Sequence, residues 1–289
     1  MTVESVTAAP DAAAHTTPDA SSLASHAAIP AVEVLSAQKT YSNGTVALQP
    51  VDLTVQEGEF VTLLGPSGCG KSTLLKMIAG LLEPTDGRLL LWRKPVAALE
   101  ATRRKLAFVF QAPTLMPWAS VAANVRLPLD LAGLPRADAD SRVAEALALV
   151  GLARFAATLP SALSGGMQMR VSIARSLVVQ PNLLLMDEPF GALDEITRHK
   201  LDTDLLALWR SKKLTVVFVT HSIHEAVFLS TRVVMMAARP GRIVEEVVID
   251  EPYPRTPDFM VTPGFARYAK RLQDSLLRAS RDSEEDALR

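Results

Sequence analysis

Short uninterrupted runs of apolar residues recur along the chain and predict strands buried inside a parallel sheet. These runs occupy residues 60–64, 106–110, 183–186, 215–220 and 232–236. A strand that is covered on both faces has no polar side, so its sequence is apolar throughout instead of alternating. Residues 31–56 alternate and turn, which is typical of an antiparallel β layer. The pattern therefore predicts an α/β fold in which an antiparallel layer adjoins a parallel core.

Helical spacing of apolar residues dominates the stretch of about 111–179, which includes the periodic segments 137–150 and 167–178. We interpret this stretch as an all-helical subdomain inserted between two core strands. A further helix is predicted over 264–281, where Phe265, Tyr268, Leu272 and Leu276 share one face. We expect this stripe to pack on its own subunit, and binding to a partner is the alternative.

The composition divides the chain into three parts. Residues 1–30 are rich in Ala, Ser, Thr and Pro with almost no large apolar side chains, which predicts a disordered N-terminal extension. Residues 31–250 would form the main domain, and 251–289 would form a C-terminal linker and helix, beginning with a proline-rich connector over 251–263.

A glycine-rich segment directly follows the first apolar run and has the spacing G-x-x-x-x-G-K-[ST]. It consists of Gly65, Pro66, Ser67, Gly68, Cys69, Gly70, Lys71, Ser72 and Thr73. The glycines allow backbone N–H groups to curl around phosphate oxygens. Lys71 would supply charge to the outer phosphates and the Ser72 hydroxyl would bind Mg²⁺. The predicted strand before it and helix after it complete the context of a nucleotide-phosphate loop.

Two adjacent acids, Asp187 and Glu188, follow the apolar run 183–186. Ligands bind at the carboxyl ends of parallel strands, and neighbouring residues of an extended segment point in different directions. Asp187 would hold Mg²⁺, and Glu188 would act as general base toward the attacking water. Without the phosphate loop, the same pair would be interpreted as a solvated strand end.

With these motifs in order, residues 32–249 resemble the ATP-hydrolysing subunit of an ATP-binding cassette (ABC) transporter. The resemblance implies a P-loop NTPase (RecA-like) core with an antiparallel β subdomain and an inserted α-helical subdomain. It also implies ATP and Mg²⁺ as ligands. Tyr41 would lie against adenine, Gln111 would sense Mg²⁺ and water, and His221 would contact the terminal phosphate.

The resemblance further implies a head-to-tail homodimer in which each ATP lies between the phosphate loop of one copy and the signature loop of the other. The signature residues are Leu163, Ser164, Gly165, Gly166 and Met167, and Asp194 lies in the loop 192–194 that would cross the dimer seam. Met167 stands where many relatives carry glutamine. Ser164 and its glycines precede a helix, so they also suit a second anion site.

Each of these residues also has a simpler interpretation. Tyr41 precedes Asn43-Gly44, a strong hairpin signal, and could pack the turn. Gln111 could be an ordinary polar strand end, His221 could be structural, and Ser164 could begin a helix without binding anything.

The segment Ala112-Pro113-Thr114-Leu115-Met116-Pro117-Trp118 is apolar and uncharged. It is either buried in its own core or, as the resemblance implies, faces a cytoplasmic helix of an integral membrane permease subunit. The resemblance also implies, indirectly, a periplasmic or extracellular solute-binding protein.

Composition and charge restrict the partners and the compartment. The 30 Lys and Arg against 31 Asp and Glu give a net charge of -1, so no basic field favours nucleic acid. The single cysteine, Cys69, suits a reducing compartment and is interpreted as a small spacer instead of a redox switch. No apolar run approaches the ~18 residues of a membrane span. We therefore expect a peripheral protein on the cytoplasmic face of the bacterial inner membrane.

Within the family, the segments 111–118, 187–194 and 238–242 are similar to those of nitrate, sulfonate and taurine importers, a group that also contains importers of pyrimidine precursors. The transported substrate cannot be read from this chain, because the binding protein and permease select it. Two other functions remain open at this point. One is a soluble ABC ATPase that serves a cytoplasmic assembly such as iron–sulfur cluster building, and the other is an ATP-gated clamp that does not hydrolyse ATP.

Overall fold

The computed structural model describes residues 29–191 and 193–287, with the side chains of residue 100 and residues 280–287 left aside. Residues 1–28 of the predicted N-terminal extension and Ala192 of the predicted seam loop lie outside the described residues. The prediction of a disordered extension therefore stays a prediction.

Ten strands and seven helices form the described part of the chain. The strands are β1 (Val32–Thr40), β2 (Val46–Val55), β3 (Phe60–Leu64), β4 (Asp86–Leu91), β5 (Lys94–Pro95), β6 (Leu106–Val109), β7 (Leu183–Asp187), β8 (Thr215–Thr220), β9 (Arg232–Ala237) and β10 (Arg242–Val248). The helices are α1 (Lys71–Ile78), α2 (Val121–Leu131), α3 (Arg136–Leu149), α4 (Gly165–Leu177), α5 (Glu195–Lys212), α6 (Ile223–Leu229) and α7 (Pro263–Ala287). Short 3-10 turns lie at Val96–Thr102, Ala153–Phe155, Pro160–Ala162 and Pro257–Val261.

The larger sheet has six strands in the order β10-β9-β3-β8-β7-β6, and all its neighbours are parallel except β10, which runs antiparallel to β9. Strands β3, β7 and β8 are buried at every position, as their uniformly apolar sequences predict. In register, Leu64 lies opposite Thr220 and Asp187 lies opposite Val219. The segments that follow these three strands therefore emerge side by side at one edge of the sheet.

The smaller sheet has four strands in the order β2-β1-β4-β5 and is antiparallel. Strands β1 and β2 fall in the predicted antiparallel layer. Strands β4 and β5 come from beyond the phosphate loop and were not predicted by the sequence pattern. The layer is thus assembled from both sides of that loop, and the loop lies between segments of one sheet.

Two hydrophobic cores lie on opposite faces of the parallel sheet. Phe60 and Leu64 of β3 pack on the side of the helices α2 to α7, whereas Val61 and Leu63 pack toward α1 and the antiparallel sheet. This alternation follows from the two-residue period of a strand. The parallel sheet is therefore packed between two layers, and this packing holds in place the sheet edge at which the candidate site lies.

The C-terminal segment packs on the same domain. Phe265 and Leu272 of α7 are buried and Leu276 packs against the helix-side core, so the predicted stripe contacts its own chain. In the connector, Arg255 is 4% exposed and donates to the carbonyls of Val227 and Ser230 at the end of α6, both at 2.9 Å. Among residues 29–191 and 193–287, no helix combines the length and the apolar character that crossing a membrane requires.

Candidate functional site

The segment of residues 65–73 forms the predicted loop between β3 and the N-terminus of α1. Gly68 and Gly70 have φ values of 79° and 90°, a region that side-chain-bearing residues rarely adopt. A Cβ on Gly65 would lie 2.4 Å from the carbonyl oxygen of Met236 in β9, so only glycine allows the loop to approach that strand. Lys71 is buried inside the loop, and its Nζ donates to the carbonyls of Gly65 and Pro66 at 2.8 and 2.9 Å. The ammonium group is thus held against the backbone of the phosphate loop by two carbonyls.

Cys69 is fully buried behind this loop, and burial raises the pKa of its thiol. The thiol is therefore neutral at physiological pH and unreactive, which agrees with its interpretation as a spacer.

Ser72 and Asp187 meet where α1 begins and β7 ends. The Ser72 hydroxyl donates to Oδ1 of Asp187 at 2.7 Å. Burial raises the pKa of Asp187, and the Ser72 hydrogen bond opposes this effect. A hydroxyl and a carboxylate at this separation are hard oxygen ligands of the kind that Mg²⁺ prefers. The residues present therefore fit a magnesium ion beside the phosphate loop.

Glu188 stands between the phosphate loop and the end of β8. Its Oε2 lies 3.3 Å from Nδ1 of His221, and its Oε1 lies 3.7 Å from Nζ of Lys71. Glu188 has a φ of 44°, a left-handed conformation that costs on the order of 1–3 kcal/mol for such a residue. A hydrogen bond from its backbone N–H to the Val219 carbonyl, 3.0 Å long, holds it there. The strained backbone directs the carboxylate toward the space in front of Lys71.

These groups border an open cleft of about 500 Å³, a size that suits a small-molecule ligand. Of the predicted site residues, the cleft is lined by Tyr41, Ser67, Gly68, Gly70, Lys71, Ser72, Thr73, Gln111 and Glu188. The cleft therefore collects residues from the phosphate loop, from the start of α1 and from the segments that follow β1, β6 and β7.

Tyr41 lies in the predicted turn and also borders the cleft. It lies in the turn between β1 and β2, where its carbonyl accepts from Gly44 N–H at 2.9 Å. Its ring is 41% exposed at the cleft and its hydroxyl is 3.4 Å from Oγ1 of Thr73. The turn thus presents an aromatic face next to the phosphate loop.

The predicted signature residues lie elsewhere on this chain. Among the described residues that line the cleft, none belongs to 163–167. Leu163 is buried, whereas Ser164 is exposed and caps α4 by accepting from the N–H of Met167 at 3.3 Å. A Cβ on Gly166 would lie 2.7 Å from Cγ2 of Thr197, so the signature helix begins against the start of α5.

The predicted seam loop leads into α5. Asp194 caps this helix by accepting from the N–H of Thr197 at 2.9 Å, and that bond lowers the pKa of the Asp194 carboxyl. The next residue but one, Ile196, is 84% exposed. An apolar side chain thus stands uncovered on this chain directly beside the carboxylate predicted to reach the seam.

The apolar segment that follows Gln111 is anchored at its base and exposed at its tip. The buried Asn124 accepts from Met116 N–H at 2.7 Å and donates to Met116 and Ala119 carbonyls. Arg175 of α4 donates to the Thr114 carbonyl at 2.9 Å. Trp118 is 78% exposed, so the alternative in which this residue belongs to the core is wrong.

Sequence reasoning missed a second group of cleft residues. Arg239 and Gly241, from the turn between β9 and β10, line the cleft, as do Thr45, Val46 and Ala47 of β2 and the turn before it. A Cβ on Gly241 would lie 2.5 Å from the Cys69 carbonyl oxygen. The segment 238–242 carries this signal in the sequence, where its similarity to relatives indicates only a subgroup of the family.

Comparisons with known proteins agree with this geometry. A family model described as ABC transporter matches residues 48–191. The taurine import ATP-binding protein of Rhizobium johnstonii is 48% identical over 210 residues, 73% of this chain and 79% of that protein. The aliphatic sulfonates import ATP-binding protein of Bacillus cereus is 44% identical over 214 residues, 74% of this chain and 83% of that protein. A solved dimeric ATP-binding cassette in a post-hydrolysis state, bound to ADP and phosphate, has a TM-score of 0.69 at 35% identity and covers 76% of this chain and 100% of its own.

Proposed function

The chain belongs to the ABC transporter family, and on that premise we propose that it is the ATP-hydrolysing subunit of a bacterial importer. The predicted P-loop NTPase fold and ATPase activity are confirmed. The observation that carries the proposal is the meeting of Lys71, Ser72, Gln111 and Glu188 at one cleft, with His221 in contact with Glu188.

Hydrolysis follows from the order of groups in the cleft. The loop backbone and Lys71 would hold the phosphates of ATP, with adenine against Tyr41. Glu188 would take a proton from a water molecule while the oxygen of that water forms a bond to the terminal phosphorus. The bond between this phosphorus and the bridging oxygen breaks, and the bridging oxygen leaves with ADP. The products are ADP and phosphate, and the proton passes from Glu188 to solvent or phosphate. His221, 3.3 Å from Glu188, would orient that carboxylate and contact the terminal phosphate.

Ser72, Asp187 and Gln111 would hold Mg²⁺, which when bound supplies positive charge to neutralise the phosphate oxygens. Ser72 and Asp187 are already hydrogen-bonded at 2.7 Å, so their oxygens converge on one point.

Two copies would dock head to tail, with the signature loop of one completing the ATP site of the other. Two features of the described residues support this arrangement. The signature residues form a capped helix N-terminus that lies outside the lining of their own cleft, and such a terminus can bind an anion. The exposed Ile196 beside Asp194 supplies apolar surface where the seam loop would cross.

The exposed tip at Trp118 supports a membrane permease as partner, because tryptophan is enriched among the residues that contribute most to binding at protein interfaces. This favours the importer over a soluble ATPase that serves cytoplasmic assembly. The contact between Glu188 and His221 favours hydrolysis over a clamp that does not turn over. The permease would place the chain on the cytoplasmic face of the membrane, with a solute-binding protein on the other side.

The relatives named for taurine and sulfonate import favour an organosulfonate as the transported solute, and nitrate or a pyrimidine precursor is the alternative. Affinity purification from native membranes, with identification of the associated permease and solute-binding protein, distinguishes these substrates.

The test of the ATPase cycle is Glu188→Gln. The amide keeps the shape of the side chain but loses its basicity, so ATP should bind without turnover and a stable ATP-dependent dimer should accumulate. Size measurement with and without Mg-ATP detects the dimer. Glu83→Gln, an exposed change outside the cleft, is the control and should hydrolyse ATP normally.

Adding Ser164→Arg to Glu188→Gln should block the dimer while the dilute monomer still binds ATP. Turnover near the normal rate in Glu188→Gln would refute the general base.

A further inference from the structure

A cluster of charged residues lies buried between α5 and α6, behind the proposed catalytic residues. Asp202 is 1% exposed and Glu225 is 4% exposed, and Arg198 reaches Glu225 with its Nε 3.5 Å from Oε1. Such residues are rarely buried unless they are paired, because removing a charge from water has a large free-energy cost. The free-energy cost of burying them suggests that these residues have a structural or functional role at this position.

The Glu225 side of the cluster leads to His221. Glu225 Oε2 accepts a short hydrogen bond from the hydroxyl of Thr220, the residue directly before His221. The same hydroxyl oxygen accepts a hydrogen bond from the N–H of Ser222 at 3.0 Å, and this bond holds the residue directly after His221. The backbone on both sides of His221 is therefore held by one carboxylate through one threonine.

The Arg198 side of the cluster leads to the seam loop. Arg198 Nη2 donates to the carbonyl of Leu193 at 2.9 Å, immediately before Asp194. Leu193 also lies at the beginning of the signature helix, since a Cβ on either Gly165 or Gly166 would come 3.9 Å from its Cδ2. The guanidinium thus supports the part of the surface that would meet the second copy.

Asp202 does not compete for Arg198. Burial first, and then the neighbouring charge of Glu225, raise the pKa of Asp202 to about 8, so it is protonated at neutral pH. Glu225 is the carboxylate within reach of Arg198. Burial raises the pKa of Glu225, and the hydrogen bond from Thr220 and the charge of Arg198 oppose that effect. An ion pair in which Glu225 is buried and the Arg198 side chain is 26% exposed then joins α5 to α6.

We propose that the Arg198–Glu225 pair is a positioning element for hydrolysis, which holds the seam loop at Leu193 and the backbone around His221 in one fixed arrangement. This inference rests on the proposed function above. The pair thereby couples a loop that reaches toward the second copy to a histidine that would face the terminal phosphate. Displacements of about 1 Å in such geometry lower rates by up to about 100-fold.

The test compares Arg198→Gln, Arg198→Lys and the double variant Arg198→Gln/Glu225→Gln. Arg198→Gln should leave the Kd of the dilute chain for ATP within about twofold and lower kcat at least tenfold, because the phosphate loop is untouched and only positioning is lost. Lysine keeps the charge but not the planar fork that reaches both Glu225 and Leu193, so it should restore thermal stability and only part of kcat.

The double variant separates positioning from stability. It leaves no unpaired buried charge, so it should unfold at a temperature near that of the unmodified protein while kcat stays low. Recovery of kcat in the double variant would overturn the proposal, and so would a double variant that does not fold, since the pair would then act on stability alone. Loss of ATP binding by folded Arg198→Gln would also overturn it. Arg170→Gln is the control, because Arg170 joins α4 to Asp204 of α5 at 3.7 Å but contacts neither Leu193 nor Glu225.

Repeating Arg198→Gln in the Glu188→Gln background distinguishes this proposal from the proposed function. If Glu188→Gln alone gives no ATP-dependent dimer, the head-to-tail cycle itself fails. If Glu188→Gln forms the dimer and Arg198→Gln changes neither the ATP concentration required nor kcat, only the positioning role fails. We expect the added substitution to raise the ATP concentration required for dimer formation about tenfold or more, in line with the loss of kcat.

Discussion

Replacing the buried acid Asp202 with asparagine should make the stability of the protein less dependent on pH. Burial raises the pKa of Asp202 to about 8 from an ordinary value of 3.8, and its Oδ1 has no hydrogen-bond partner among the described residues. Between these two values the folded protein keeps a proton that the unfolded chain has lost. Asparagine has nearly the same shape as the protonated acid and never ionises.

The magnitude follows from that single proton. Where the folded state binds one proton more than the unfolded state, the free energy of unfolding falls by about 1.4 kcal/mol per pH unit. The stabilising contribution is fully present below pH 3.8 and is lost as the pH rises through about 8. Since Asp202 is 1% exposed, solvent screens this effect little. Relative to the unmodified protein, Asp202→Asn should gain stability steadily from pH 5 to 8 and then level off.

Urea unfolding of both proteins at several pH values between 5 and 9 measures the difference directly. The control is Asp204→Asn on the same helix, where the side chain is 43% exposed and the substitution removes no buried acid. A constant difference for Asp202→Asn, or one that falls as the pH rises, would refute the assignment of a buried neutral acid at this position.

Two further predictions concern the docking tip and the back of the cleft. Trp118→Asp should weaken binding to the purified permease complex by a few kcal/mol and leave the basal ATPase rate unchanged. The control is Val261→Asp, at a site 86% exposed in the C-terminal connector, which should bind the complex normally. Normal binding of Trp118→Asp would exclude this loop from the interface. Gly241→Ala should destabilise the protein by about 1–3 kcal/mol and weaken ATP binding, because its Cβ would lie 2.5 Å from the Cys69 carbonyl. Gly133→Ala, where the new Cβ meets nothing within 4 Å but the φ of 70° is strained for alanine, is the control for destabilisation without a clash behind the phosphate loop. Equal ATP affinity in both variants would contradict the reasoning.

The parts of the site that the sequence predicts are those whose geometry is set by neighbours along the chain. Gly65 to Thr73 and the pair Asp187-Glu188 each follow a buried strand, so their position at the carboxyl edge of the sheet follows from the apolar run alone. Tyr41 and Gln111 needed the resemblance to be placed, because a turn and a strand end have many ordinary uses.

The parts that the sequence does not predict depend on contacts between distant segments. Charged residues in a helical pattern are read as solvent-facing, yet Asp202 and Glu225 are buried because α5 and α6 pack against each other. The exposure of Trp118 could not be decided either, since it depends on Asn124 holding the base of the loop. Strand β4 joins a sheet begun before the phosphate loop, a pairing that no local pattern encodes.

The close approach of Gly65 to Met236, and of Gly241 to Cys69, has a consequence for the order in which the protein is made. The phosphate loop leaves the ribosome early, whereas β9 and the turn that backs the loop are among the last parts of the domain to be translated. A nascent chain that already contains the complete phosphate loop therefore still lacks β9 and the turn against which that loop packs. The nucleotide cleft therefore reaches its final geometry only after nearly the whole domain has been synthesised.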